Sequence, residues 1–132
     1  IQMKIKTKYV MLSSSIFMGI IGLGLSFVPE ELLSVLEVTE ISRVLLVLLQ
    51  IMGGLYFGFA YLNWAGRSAI MGGIYAFPIT ISNMSHFIIG ALSLIKAYIK
   101  QPDLILLILA IFYTIFAILF AIIFRTHPQK TT

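Results

Sequence analysis

Four stretches of this chain are each long and apolar enough to cross a bilayer: Tyr9–Val28, Ser42–Ala65, Ile74–Ile99 and Asp103–Phe124. A hydrocarbon core about 30 Å thick takes about 20 helical residues to span. No water is present there to bond the backbone, so only helices and closed barrels are admissible. These runs lack the alternation of a barrel strand, and all four are expected to be helices. The composition agrees, with 60% of the 132 residues hydrophobic and 11% charged, against about 45–50% and 25% in soluble domains. A soluble fold of this size has too much surface per volume to hide that surplus. The expected fold is an all-α integral membrane protein, a single membrane domain built as an antiparallel four-transmembrane-helix bundle.

Charge placement assigns the sides. Lys4, Lys6, Lys8, Arg67, Arg125 and Lys130 fall on one side with no acid among them; Glu30, Glu31, Glu37, Glu40 and Asp103 fall on the other, with Arg43, Lys96 and Lys100. Six basic residues against three put both ends of the chain on the cytoplasmic side of an inner (plasma) membrane. The net charge of +4 therefore reports topology, and nucleic acid is not an expected partner. Lysines before an apolar run also open signal peptides. The first run is too long for such a segment, however, and no Ala-x-Ala site follows it. It reads as the first span. With no cysteine in the chain, disulfides, thiol redox chemistry and cysteine metal sites are excluded.

The joints carry their own signals. Pro29 suits the first position of a helix, Glu30 and Glu31 suit its positive end, and Leu32, Leu33 and Leu36 share a face. Pro29–Val38 is expected to be an amphipathic helix on the outer interface, and Thr39 or Ser42 to cap the second span. Gly72–Gly73 breaks the chain before the third span. Pro78 either lies in that helix's first turn or kinks it, and Pro102–Asp103 opens the fourth. Small residues recur at helical spacing in every span: Ser15, Gly19, Gly22 and Ser26; Gly54 and Gly58, a GxxxG; Gly90, Ser93 and Ala97; Ala110, Thr114, Ala117 and Ala121. Such stripes let membrane helices approach closely, within a chain or between copies. Phe17–Leu25 also echoes Phe87–Leu94, as two repeated helical hairpins would.

Few residues can carry chemistry. His86 lies near the middle of the third span, and Asn83 lies one turn before it. Polar groups at that depth are expensive and face the protein interior. Tyr56, and Tyr113 or Thr114, fall at similar depth on the second and fourth spans, while Gln50 lies nearer the outer side. Asn63, Trp64 and Arg67 lie at the cytoplasmic end of the second span, within reach of Asn83. His86 is either a proton-relay or ligand-orienting group, or a neutral histidine fixing helix packing through Tyr56, Tyr113 or Asn83. Haem would need a second axial histidine, and His127 lies outside the membrane. Zinc lacks ligands at that depth, so no metal or other cofactor is expected. For Asn63, Arg67 and Asn83 the choice is between a cap tying the second span to the third and a site for an anionic headgroup. There is no phosphate loop, HExxH, GxSxG or paired intramembrane carboxylate, and the chain is expected not to be an enzyme.

The run Leu62-Asn63-Trp64-Ala65-Gly66-Arg67, then Gly72-Gly73-Ile74-Tyr75 and Pro78, then Asn83-Met84-Ser85-His86-Phe87, resembles small, uncharacterised bacterial four-span proteins, broadly DoxX-like. The resemblance implies a bacterial inner-membrane protein of four helices and supplies no activity. A bundle without a catalytic set is expected either to bind a small lipophilic molecule between its helices or to serve as a subunit of a larger membrane complex. The alternative is a small transporter or channel. Four helices enclose little room for a pore, so that reading requires a homo-oligomer.

Overall fold

The computed structural model describes residues 6–68 and 76–126. Lys4, Gly72–Gly73, Ile74, Tyr75, His127 and Lys130, which figure in the sequence reading, lie outside them. The described residues form five helices: α1 Thr7–Phe27, α2 Pro29–Val35, α3 Arg43–Gly66, α4 Ala76–Lys100 and α5 Leu104–Thr126. Four of these are long and apolar enough to cross a membrane. The fold is all-helical, with a short helix between the first two spans, as the sequence predicts. Helix ends agree with the sequence reading to within two residues, except that α2 stops at Val35 rather than Val38 and that the start expected at Ile74 lies outside the described residues.

Contacts divide the chain into two compact units. The first, Met11–Ala65, holds most of α1 together with α2 and α3; the second holds α4 and α5 and takes in the chain up to Val10.

In the first unit α1 and α3 run antiparallel, and the small-residue stripe of α1 forms their contact. Gly22 lies so close to α3 that a Cβ there would sit 2.8 Å from the backbone nitrogen of Phe57 and 2.9 Å from the Gly53 carbonyl. A Cβ on Gly53 would run into Ser26. Gly19 meets Ala60 at ordinary van der Waals distance. Lipid tails are as apolar as leucine, so close packing and hydrogen bonds must supply what the hydrophobic effect supplies in water. The GxxxG of Gly54 and Gly58 takes no part. Both are exposed, with nothing within 4 Å of an added Cβ. The contact glycine is Gly53, about 100° away around the helix from Gly54.

Helix ends follow their local chemistry. Ser42 Oγ accepts the Leu45 N–H at 3.1 Å and so caps α3. Asp103 Oδ1 accepts from Ile105 N at 2.8 Å and Leu106 N at 3.2 Å at the start of α5. Each satisfies amides that a helix start leaves without partners. Pro29 holds the first turn of α2, with Glu30 and Glu31 beside it. Pro78 is the third residue of α4 as described. At its far end α2 closes with Val38 N–H donating to the Leu33 carbonyl and Glu37 N–H to that of Ser34, both at 3.0 Å. This is a Schellman closure, and its pivot is Glu37 at φ 58°, where glycine is usual.

Two outcomes follow for stability, both read as thermal melts of the detergent-solubilised protein. Gly53→Ala drives a methyl into Ser26 and should cost about 1–3 kcal/mol, whereas Gly54→Ala, one residue on, should be neutral or gain up to about 1 kcal/mol. Glu37→Gly relieves the left-handed residue and should stabilise by about 1 kcal/mol, whereas β-branched Glu37→Val should destabilise by at least as much.

Candidate functional site

Position 86 falls about 15 Å along α4 from Ala76, and Tyr113 lies at matching depth on the antiparallel α5. Tyr113 Oη and His86 Nε2 are 3.3 Å apart. With a neutral imidazole protonated on Nδ1, the phenol O–H donates to Nε2. Tyr113 is buried and His86 half-buried. The pair is held by its neighbours. Gly90, one turn after His86, faces the Tyr113 ring so closely that a Cβ there would collide with it. The missing side chain is the seat that lets the phenol reach back to the imidazole.

An aromatic column continues from this point. Phe87, fully buried, meets Tyr113 edge-on at 5.2 Å and stacks on Phe116 at 5.0 Å and on Phe120 at 5.7 Å between centroids. The His86 ring packs against Phe87 at 5.1 Å. Farther along, Phe77 meets Phe124 at 5.8 Å. Aromatic pairs of this kind contribute about 0.5–1.5 kcal/mol each beyond the area they bury. The second unit therefore rests on an aromatic seam with a single imidazole–phenol contact at its mid-depth.

Asn83 is fully buried and donates from Nδ2 to the Ile79 carbonyl one turn back, at 2.9 Å. It shares the His86 side of α4, as its spacing predicts. Thr80, also buried, returns its hydroxyl to the Ala76 carbonyl.

The remaining candidates lie elsewhere. Tyr56 is half-buried on α3 in the first unit. Asn63 is fully buried, and its amide joins α3 to α1, donating to Ser14 Oγ at 3.0 Å and approaching Met18 sulfur at 3.9 Å. Ser14 passes its own proton to the Met11 carbonyl, while Ser15 Oγ donates across to the Ala60 carbonyl at 2.7 Å. These bonds make a clasp near the α3 C-terminus, where the sequence reading put Asn63 with Arg67 and Asn83. Arg67 sits half-buried in the turn after α3. Ser14 and Met18 escaped sequence reasoning, since a lone serine and methionine in an apolar run carry no signal until the register of α1 on α3 is known.

Chemically, the His86–Tyr113 contact offers a neutral donor–acceptor pair in an apolar aromatic wall. It can exchange a hydrogen bond with a carbonyl or hydroxyl at mid-membrane depth, and an imidazole can in addition take up and release a proton. No family model, curated protein or solved structure matches the chain.

Removing either partner should cost little. His86→Leu and Tyr113→Phe are each expected to lose about 0.6–1.7 kcal/mol, with the double variant losing less than the sum. Gly90→Ala should cost more, about 1–3 kcal/mol, because it unseats the Tyr113 ring. A thermal-melt double-mutant cycle measures the first, and the single variant the second.

Proposed function

We propose that this chain is a non-enzymatic inner-membrane protein that binds a small lipophilic molecule with a polar head, with His86 as the group that orients it. The observation that carries the reading is the half-buried imidazole at mid-depth, bonded to Tyr113 and packed against an aromatic column. An intramembrane histidine is costly and commonly marks a functional position. The buried phenylalanine packing behind it holds the imidazole in place, and the imidazole supplies the directional bond to a polar head. Quinones and lipids with a carbonyl or hydroxyl head match that chemistry.

The wider setting is part of the proposal. Both ends of the chain lie in the cytoplasm of a bacterial cell, on the side rich in lysine and arginine, and the likeness to broadly DoxX-like four-span proteins supports the same placement. The alternative use of a bundle without a catalytic set is as a subunit of a larger membrane complex.

Copurified small molecules decide between them. Mass spectrometry of the detergent-solubilised protein should find a quinone or lipid at near-stoichiometric level. His86→Asn, which keeps one hydrogen-bonding side chain, should retain part of it, and His86→Leu should lose it while melting only slightly lower. A His86→Leu variant that melts lower with ligand content unchanged would reduce His86 to a packing residue. A reproducible protein partner in a native pull-down, with no bound small molecule, would favour the subunit.

A further inference from the structure

Gln50 is the eighth residue of α3, about 10 Å along the helix from Arg43 and so inside the hydrocarbon. Its side chain is exposed and has no hydrogen-bond partner among the described residues. A hydroxyl in the same position could return its proton to its own helix, as Thr80, Ser93 and Thr126 do. The glutamine amide carries two donors and a carbonyl with two lone pairs, and leaving them unbonded in lipid is costly. The side chain therefore calls for a partner at its own depth.

The face around it is shaped for close approach. At 3.6 residues per turn, Val47, Gln50, Gly54, Gly58, Tyr61 and Ala65 fall within about 80° of one another. All six are exposed, and nothing lies within 4 Å of a Cβ placed on Gly54 or Gly58. The face points away from Gly53, Ala60 and Asn63, which serve α1.

We propose that this face of α3 is a two-fold interface with a second copy of the chain, in which Gln50 bonds Gln50 of the second copy across the axis. Copies of one membrane protein insert with the same orientation, so a two-fold axis along the membrane normal brings every residue of α3 to its counterpart at equal depth. A primary amide is self-complementary, one copy giving N–H to the carbonyl of the other, and a self-pair needs no foreign partner matched to that depth. Gly54 and Gly58, four and eight residues on, let the two backbones come close enough for the amides to meet. A single polar pair in an apolar seam also fixes register, as a buried asparagine does in coiled coils.

Oxidative cross-linking in lipid vesicles tests this, since the chain has no cysteine of its own. Gly54→Cys and Gly58→Cys should give disulfide-linked dimers, whereas Leu48→Cys and Leu55→Cys, on exposed flanks of the same helix, should give at most about a tenth as much. In a cysteine-free background, Gln50→Leu should weaken the dimer about three- to tenfold by native mass spectrometry at several protein concentrations. Gly54→Ile, whose Cβ has no described atom within 4 Å in the protomer, should abolish it without lowering the melting temperature. Equal cross-linking at all four positions, a monomer throughout, or a dimer that survives Gly54→Ile in a normally melting protein would each overturn the interface.

Discussion

Everything in this chain answers to one constraint: a polar group in hydrocarbon has no water to turn to and must find its partner in protein. Backbone groups meet it by forming four long helices. Side chains meet it in two ways. Thr80, Asn83, Ser93 and Thr126 return bonds to their own helix. Ser15, Asn63 and the His86–Tyr113 pair bond across to another helix, and these few contacts set which helix lies against which and in what register. Each is worth only about 0.6–1.7 kcal/mol, so they select an arrangement that packing then stabilises.

Packing in both units depends on a glycine. Gly22 admits the backbone of α3, and Gly90 admits the ring of Tyr113. What fills the space differs. On α1 the glycine meets another backbone, and the hairpin is clasped by small polar groups. On α4 it meets an aromatic ring, and the hairpin is held by the Phe87 column with one imidazole left at its edge.

Much of this was legible in the sequence. Span length, a cap at Thr39 or Ser42, a helix start at Pro102–Asp103, and the proline at the head of α2 are local matters, settled by residues within a turn of each other. Depth put Tyr113 among three candidate partners for His86, beside Tyr56 and Asn83, and the structure pairs His86 with Tyr113. Partners across helices were not legible, because they depend on rotation: Gly54 and Gly58 carry the familiar spacing, yet the packed glycine is Gly53. Asn63 was expected at a cap with Arg67 and Asn83, and its bond to Ser14 needs the register of α1 on α3. The left-handed turn at Glu37 leaves no mark, since nothing about a glutamate announces a place where glycine is usual.

The proposed placement of both chain ends on the cytoplasmic side rests on the distribution of lysine and arginine between the joints. Single substitutions Ser34→Cys, on exposed α2, and Gln129→Cys, near the C-terminal end of the chain, test it in intact cells with a membrane-impermeant thiol reagent; no native cysteine interferes. Labelling at Ser34→Cys at once, and at Gln129→Cys only after the membrane is permeabilised, is the expected result. Labelling at Gln129→Cys in intact cells, with Ser34→Cys protected, would contradict the proposed topology.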